Sequence, residues 1–307
     1  MRKAGELMQR EYLSIDVGGT TIKSARINHS GNIISKDRVV TPRTKEAFLT
    51  TLLNIWHANS TVVAVCVSVP GIVNSQTGRV QFTGALAYMG AFDLGDYLSA
   101  QTDLPVYVGN DANCATLAEM WLGNLNEVTA GAVVTLGTSV GGGIVINGDL
   151  LHGPHFRAGE LSAIITNRGD EVVKQRTVGA TTSAVQMVRQ VATACQLADL
   201  DDGQQVFEYI IAHDHRAWPI FTAYCQRVAI LLINLQAVLD LDVVLIGGGI
   251  SVQPILITEI RQQFEQVQAS DQRLTDDVRM PIIKAAKFGN EANLLGALYG
   301  FFLKYED

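Results

Sequence analysis

Runs of apolar residues, separated by polar turns, predict an α/β protein that begins with a small antiparallel sheet. Strands are predicted over 12–17, 21–28 and 32–41, and the turn sequence NHSGN joins the last two. Because short turns connect all three strands, we expect an antiparallel meander. Apolar residues at helical spacing follow over 45–58, and TVVAVCVSVPG then predicts a buried strand that its Pro-Gly pair terminates.

The first half of the chain continues with alternating helices and strands. A short helix is predicted over 93–102, a strand over 104–111 and a helix over 112–123. This alternation is typical of parallel strands within a sheet that helices cover. The intervening stretch, 72–92, is looser and has no clear period.

The second half repeats the start of the first. Residues 130–151 give a strand, a glycine turn and a second strand, as at 12–28, so the second lobe is predicted to be a distant copy of the first. The later elements are helices over 181–197, 204–213, 218–239 and 254–266, strands over 242–250 and 281–286, and a closing helix over 291–303. We place the lobe boundary after residue 122, within the segment 122–129.

Length and composition agree with two lobes that each have a hydrophobic core. The chain has 307 residues, of which 48% are hydrophobic and 17% charged. Its formal net charge of -7, without a basic run, argues against a nucleic acid partner. The cysteines, Cys66, Cys114, Cys195 and Cys225, lie far apart in mostly apolar surroundings, which predicts reduced core thiols in the cytoplasm. We expect no secretory signal, because the start of the sequence has charges but no apolar core region, and no membrane span, because no apolar stretch reaches about 18 residues.

Two glycine turns at the ends of predicted strands are candidate phosphate-binding loops. They are DVGGTT at 16–21 and LGTSVGGG at 136–143. Backbone N–H groups in such turns can wrap a phosphate, and glycine permits the tight φ angles. Asp16 could hold Mg²⁺ directly or through water, and Lys23 could supply a cation. One such turn alone is weak evidence, since it can be a simple hairpin, but two at matching positions predict a split cradle for a triphosphate.

A third glycine run, IGGGI at 246–250, could let adenosine approach the backbone closely. We therefore predict ATP and Mg²⁺ as cofactors. The predicted nucleotide-binding residues are Asp16, Gly18, Gly19, Thr20, Thr21, Lys23, Gly137, Thr138, Ser139, Gly141, Gly142, Gly248 and Gly249. The Walker pattern is absent, and each of the first two turns leads into a strand, which excludes a Rossmann nucleotide site.

Two acidic residues are candidates for contact with a polyhydroxyl substrate. Asp111, between a predicted strand and a helix, could accept a proton from a hydroxyl that attacks a γ-phosphate, while Asn110 could anchor a neighbouring hydroxyl. The alternative is that Asp111 only caps the helix. Glu160, in the turn FRAGEL, could accept two hydrogen bonds from vicinal hydroxyls, or it could be a solvated loop residue.

The ordered motifs DVGGTTIK, VPGIV, NDANC, LGTSVGGGI, RAGEL and LIGGGI resemble the ROK family of bacterial sugar kinases over residues 12–305. The resemblance implies an actin-like ATPase fold with two ribonuclease-H-like lobes of mixed sheets, an ATP site and usually a homodimer. It implies that Asp111 is the general base, that Asn110 and Glu160 contact the sugar, and that Gly71 and Gly84 make weaker contacts. It also implies that residues 291–307 pack back on the N-terminal lobe, 1–122, leaving 123–290 as the C-terminal lobe. Residues 1–10 precede the usual start, and Met8 could be the initiator.

The sequence departs from the family where most members bind structural zinc. Ala163 stands in the place of the family histidine, and the segment that follows has no cysteine. Zinc needs about four nitrogen or sulfur ligands, so we predict no zinc. His152 and His155 lie upstream without cysteine partners and are expected to be ordinary polar residues. Lys174 aligns approximately with a family glutamate that faces the sugar.

These departures should open the anomeric side of the sugar while leaving its 6-hydroxyl end intact. The expected activity is therefore ATP-dependent phosphorylation of the 6-hydroxyl of a hexose or a β-glucoside of the glucose or cellobiose type. The chain also resembles N-acetylmannosamine kinases almost as well, so that substrate stays an alternative. A repressor is a remote alternative, because only eleven residues precede Tyr12 and the chain is acidic. A catalytically silent sugar sensor is also a remote alternative, because Asp111 and both phosphate loops are intact.

Overall fold

The computed structural model describes residues 10–166 and 176–306. They form two compact units. Unit 1 takes in the described residues up to Gly123, the segment His152–Ala158 and the chain from Glu291 onward. Unit 2 takes in Asn124–Leu151 and Gly159–Asn290. The segment His152–Ala158, which the sequence assignment puts in the second lobe, thus packs with unit 1.

The main sheet of unit 1 is a mixed, five-stranded sheet. The strands of this unit are β1 (Glu11–Val17), β2 (Thr21–Asn28), β3 (Ile33–Val40), β4 (Val65–Val69), β5 (Ile72–Asn74), β6 (Arg79–Gln81), β7 (Ala91–Asp93) and β8 (Val106–Asn110). The main sheet has the order β3-β2-β1-β4-β8, with β1 to β3 antiparallel and β4 and β8 parallel to β1. The predicted meander is therefore confirmed. The stretch without a clear period contains β5, β6 and β7, which form a separate antiparallel sheet.

Unit 2 repeats the strand order of the main sheet of unit 1. Its strands are β9 (Ala130–Leu136), β10 (Val140–Ile146), β11 (Asp149–Leu150), β12 (Val243–Gly247) and β13 (Ile282–Ala285). Their order is β11-β10-β9-β12-β13, again with three antiparallel strands followed by two parallel ones. The predicted internal repeat is confirmed at the level of strand order and direction.

Helices cover these sheets. In the described residues they are α1 (Lys45–His57), α2 (Leu94–Thr102), α3 (Asp111–Leu122), α4 (Val178–Thr181), α5 (Ala184–Ala194), α6 (Gly203–Ile211), α7 (Trp218–Leu239), α8 (Pro254–Ala269), α9 (Gln272–Asp277) and α10 (Ala292–Tyr305). The predicted helix over 181–197 is the shorter helix α5, which begins at Ala184 because Ser183 caps it by accepting a hydrogen bond from the backbone N–H of Gln186. Helix α4, which ends at Thr181, precedes it as a separate turn. The short helix α9 was not predicted.

The closing helix α10 belongs to unit 1, where it packs on α3 and on β1, β4 and β8. Gly296 allows this close approach, since a Cβ at that position would overlap the backbone carbonyl of Cys114 on α3. Ser14 on β1 also donates a hydrogen bond of 2.5 Å from its hydroxyl to the carbonyl of Leu294. Strand β1 and helix α10 are therefore fixed together in unit 1.

Helix α7 forms the centre of unit 2. By length and composition alone it is the one helix in the described residues that could cross a membrane. Its side chains Phe221, Tyr224 and Val228 are fully buried, and they pack with apolar residues of α5, α6 and α8 in one cluster. Burial inside the unit accounts for the apolar character of this helix.

Candidate functional site

The first glycine turn connects β1 to β2 in unit 1. The N–H of Gly18 donates to the carbonyl of Thr21 at 3.0 Å and closes the turn. The segment after β3 holds it from outside: Thr41 donates from its N–H to Thr20 O at 2.9 Å and from its hydroxyl to Gly18 O at 2.7 Å. The N–H groups of Gly19 and Thr20 form no hydrogen bond with any described residue. These two amides are therefore the donors that the turn leaves for a ligand.

Asp16 lies beside this turn, at the carboxyl end of β1. Its side chain is nearly buried, with 7% of the residue exposed. Lys23 Nζ lies 3.5 Å from Asp16 Oδ2, and Asn293 Nδ2 donates to Asp16 Oδ1 at 2.9 Å. Asn293 comes from α10 and was not predicted, because no local pattern shows which residue of a distant helix reaches β1. A single fixed carboxylate fits Mg²⁺, which usually takes one or two protein carboxylates together with phosphates and water.

The second glycine turn connects β9 to β10 in unit 2 and is built in a similar way. The N–H of Gly137 donates to Ser139 O at 3.0 Å, and Gly137 O accepts from the N–H of Ala184 at 2.9 Å. The turn therefore rests on the N-terminus of α5, whose partial positive charge favours an anion. Thr138 and Ser139 are exposed, and their N–H groups donate to no described residue.

In both turns the first glycine has a structural role rather than the predicted role of binding a phosphate. Gly18 and Gly137 use their N–H groups inside the turns, whereas the amides that follow them are left over. Thr21 supplies the carbonyl that closes the first turn. Glycine at the first position serves turn geometry, and any anion would bind to the next two residues.

The third glycine run begins as β12 ends, next to the second turn. Gly248 has φ +95°, and a Cβ there would overlap the carbonyl of Leu136 at the end of β9. Ser251 fixes the bend by donating to Gly248 O from its N–H at 3.1 Å and its hydroxyl at 2.8 Å. A Cβ at Gly249 would have no atom within 4 Å. Since β9 and β12 are parallel neighbours, unit 2 brings the turn at 137–139 and the glycines at 248–249 to one sheet edge.

The predicted nucleotide contacts Gly141 and Gly142 lie inside β10. Gly141 pairs with Thr135 of β9, and Gly142 is buried beneath Leu161, whose Cδ1 would lie 2.5 Å from a Cβ at Gly142. Gly159, with φ +81°, packs its backbone equally closely on Gly142. These glycines thus allow the segment that carries Glu160 to pack directly on the sheet.

Glu160 is exposed at the start of a short 3₁₀ turn, Leu161–Ala163. The hydroxyl of Ser162 donates to Glu160 Oε1 at 2.5 Å, which orients the carboxylate. Ala163, which stands in place of the family histidine, ends the same turn.

Lys174 and residues 1–9, including Met8, lie outside the described residues.

Asn110 and Asp111 lie where β8 meets α3. Asn110, and not Asp111, caps the helix: its Oδ1 accepts from the N–H of Asn113 at 3.1 Å, and its Nδ2 donates to Gly71 O at 2.9 Å. Asp111 is the first residue of the helix, and its Oδ1 accepts from Ala112 N–H at 2.9 Å and from Asn110 Nδ2 at 3.0 Å. The carboxylate is thus held at a helix N-terminus without serving as the cap, which favours its candidate chemical role.

Gly71 and Gly84, the predicted weaker sugar contacts, differ in how much room they have. Gly71 has φ +115°, and a Cβ there would overlap the carbonyl of Gln81. Gly84 has φ +58° and begins a 3₁₀ turn, but a Cβ there would have no atom within 4 Å. Only Gly71 is therefore required to be glycine by packing as well as by backbone conformation.

We expect Gly71→Ala to lower the stability of the protein by about 1–3 kcal/mol, because alanine tolerates neither the φ angle nor the contact with Gln81. Thermal unfolding followed by circular dichroism measures the change. Gly84→Ala is the matched control, since it changes φ preference without a steric overlap, and we expect its loss to be smaller. Equal melting temperatures for Gly71→Ala and the natural chain would contradict this explanation.

The histidines and cysteines of the described residues form no metal-binding cluster. Among the described residues no group of three His, Cys, Asp or Glu side chains could hold a metal ion. His152 packs its ring 5.8 Å from that of Phe156, and burial lowers the pKa of the imidazole. His155 is exposed. All four cysteines are buried free thiols, as predicted, and burial raises the pKa of Cys66 and Cys114. The absence of zinc stays a prediction.

The repeated strand order, with a glycine turn after the first strand of each unit, defines the class as an actin-like ATPase fold with two ribonuclease-H-like units. The chain belongs to the ROK family, whose model matches residues 12–301.

Named relatives extend this assignment. A β-glucoside kinase of Listeria monocytogenes is 34% identical over 94% of this chain and 96% of its own length. An N-acetylmannosamine kinase of Haemophilus influenzae is 28% identical over 94% of each chain. The solved structure of a ROK glucokinase from Streptomyces griseus, in complex with glucose and AMPPNP, is 25% identical, has a TM-score of 0.80, and is matched over 94% of this chain and 97% of that one. The protein is therefore a carbohydrate kinase.

Proposed function

We propose that the protein transfers the γ-phosphate of ATP to the 6-hydroxyl of a hexose or a β-glucoside of the glucose or cellobiose type. The observation that carries the proposal is the carboxylate of Asp111, fixed at the start of α3 by Ala112 N–H and Asn110 Nδ2 while Asn110 does the capping. The β-glucoside kinase relative supports the choice of acceptor.

Asp111 is proposed as the general base. Its carboxylate accepts the proton of the acceptor hydroxyl, the hydroxyl oxygen forms a bond to the γ-phosphorus, and the bond from that phosphorus to the bridging oxygen of ADP breaks. Asn110 fixes the carboxylate through its amide and also ties it to Gly71, whose carbonyl accepts from the same Nδ2. The side chain that takes the proton is therefore positioned before the sugar binds.

The two turns and the third glycine run are proposed to bind ATP. The amides of Gly19, Thr20, Thr138 and Ser139, which donate to no described residue, would donate to its phosphates, and Gly249 offers open backbone to the nucleoside. Asp16 would hold Mg²⁺, which when bound neutralises phosphate charge during transfer.

Glu160 is proposed to accept hydrogen bonds from sugar hydroxyls, and Ala163 to leave room at the anomeric side. Ala163 also supports a zinc-free site, since its methyl group replaces a ligating imidazole. We further propose a cytoplasmic homodimer: the buried free thiols support the compartment, and the family resemblance is the support for the dimer.

The second candidate is N-acetylmannosamine phosphorylation. The Haemophilus influenzae relative, which matches 94% of this chain, favours it. The two candidates share the fold and the phosphate loops, so only the acceptor sugar separates them.

A coupled assay of ADP release, with glucose, cellobiose, N-acetylglucosamine and N-acetylmannosamine as acceptors, tests the proposal. We expect turnover of glucose and cellobiose, with the product phosphorylated at the 6-position by ¹³C and ³¹P nuclear magnetic resonance. Turnover of N-acetylmannosamine with none of the glucosides would replace the first candidate by the second.

A further inference from the structure

Unit 1 contains a cavity of about 640 Å³ that none of the proposed roles uses. Its volume falls in the range of ligand pockets, about 300–1,000 Å³. The floor is the small sheet formed by β5, β6 and β7, and the wall is the loop 154–157.

The floor arises from the alternation of side chains along the short strands. Val73 and Val80 point into the core of unit 1, so Ile72, Asn74, Arg79 and Gln81 lie on the opposite face. Register places Ile72 beside Gln81 and Asn74 beside Arg79, and all four line the cavity. One face of the sheet thus offers amide and guanidinium groups around an apolar side chain.

The wall is a self-closed loop that presents an aromatic ring. The N–H of Ala158 donates to His152 O at 3.2 Å and closes the loop. Phe156 has φ +54°, a backbone conformation that bulky residues rarely adopt, and such strain is found mainly at binding sites and switches. His152 supports the ring of Phe156 from one side, and Phe156 lines the cavity.

The polar groups of the cavity fit a neutral, hydroxyl-rich ligand. Arg79 is already neutralised by Asp93, since its Nη1 donates to both carboxylate oxygens at 2.9 and 2.8 Å. The side chain of Arg157 has no hydrogen bond or ion pair with any described residue. Gln81 adds an amide that can donate and accept. Few charges, free polar groups and one aromatic face are typical of a site that binds the ring of a sugar.

The residues that line the cavity adjoin those proposed for phosphorylation. Ile72, at the edge of the cavity, directly follows Gly71, whose carbonyl accepts from the Nδ2 of Asn110 next to Asp111. The backbone of Gly71 also lies against the carbonyl of Gln81, a second lining residue. Gly71 therefore connects the two sets of residues, since it accepts a hydrogen bond from Asn110 and packs against Gln81, which lines the cavity.

We propose that this cavity is the subsite for the second ring, or aglycone, of a β-glucoside whose first ring is phosphorylated at Asp111. Phe156 covers the apolar face of that second ring, and Arg157 and Gln81 bind its hydroxyls. The inference rests on the proposed function, since it assumes a glucosyl unit at Asp111.

The test compares cellobiose with glucose as acceptors for Phe156→Ala. We expect kcat/KM for cellobiose to fall about tenfold or more, while kcat/KM for glucose, which has no second ring, changes by less than about twofold. Phe156→Leu, which keeps apolar bulk, should retain most of the cellobiose activity. Melting temperatures of both variants report whether the loop still folds.

Arg157→Ala provides a second measurement with a matched control. We expect it to raise KM for cellobiose about tenfold or more, roughly the loss of one hydrogen bond from a charged group, and to leave KM for glucose unchanged. Arg38→Ala removes an arginine that is also exposed and forms no ion pair with any described residue, on the edge strand β3, and should change the KM for neither sugar. Equal losses for both sugars, or no loss for cellobiose, would overturn the subsite.

Failure of the subsite and failure of the proposed function give different results. If the natural chain phosphorylates glucose but never cellobiose, the subsite is wrong and the function stands. If it phosphorylates neither sugar, the proposed function is wrong, and calorimetric titration with cellobiose still decides the subsite. Binding that Phe156→Ala weakens would support it, and no binding to the natural chain would refute it.

Discussion

Asp111→Asn is expected to lower kcat for sugar phosphorylation by about 10²–10⁴-fold, since it removes the carboxylate that takes the hydroxyl proton. The amide oxygen of asparagine can still accept from Ala112 N–H, so we expect helix α3 and the affinity for the sugar to be retained. ADP release measures the first effect, and calorimetric titration with glucose measures the second.

Asp103→Asn is a suitable control for this variant. It removes the same charge from unit 1 at an exposed position with φ 55°, a conformation that asparagine adopts readily. We expect it to leave kcat unchanged. A folded Asp111→Asn protein with ordinary turnover would show that another group takes the proton, and it would remove the main support for the assigned base.

Asp16→Asn is expected to lower kcat by about a hundredfold or more and to raise the Mg²⁺ concentration needed for half-maximal activity. The substitution keeps the shape of the side chain but removes the negative charge that faces Lys23 at 3.5 Å. Because Mg²⁺ takes oxygen ligands with charge, a neutral amide is a much poorer ligand. ADP release at saturating glucose, measured over a range of Mg²⁺ concentrations, reports both changes.

Asn293→Ala distinguishes the effect of the charge of Asp16 on activity from the effect of its side-chain orientation. It removes the hydrogen bond of 2.9 Å to Asp16 Oδ1 and keeps the carboxylate, so we expect a loss of only several-fold. An Asp16→Asn enzyme with unchanged Mg²⁺ dependence would contradict the assignment of Asp16 as a metal ligand. A loss in Asn293→Ala as large as in Asp16→Asn would instead show that orientation matters as much as charge.

The longer strands and helices could be predicted because each spans enough residues for the period of its apolar positions to be detected. The hairpin β1–β2 and the helix α7 are found where the apolar pattern places them. The strands β5 to β7 have three residues each, so alternation cannot be distinguished from chance, and only their pairing shows that they are strands. The cavity proposed above was therefore not visible in the sequence.

The sequence predicts which residues belong to the candidate site, but it does not predict which of them form hydrogen bonds with one another. NDANC indicates a helix start at which Asp111 could be the cap, and only the hydrogen bond from Asn113 N–H shows that Asn110 is the cap instead. Likewise, the glycine turns are evident in the sequence, but the use of Gly18 N–H to close its own turn is a property of the folded backbone. Asn293 reaches Asp16 across 277 positions, a contact that depends on the packing of α10.

The most direct test is a crystal structure of the protein with glucose and AMPPNP. We predict a carboxylate oxygen of Asp111 within about 2.6–3.2 Å of the 6-hydroxyl oxygen of the sugar, the distance at which a proton can pass between them. A carboxylate that is bound to a different hydroxyl, or that has no sugar oxygen within hydrogen-bonding distance, would contradict the proposed mechanism.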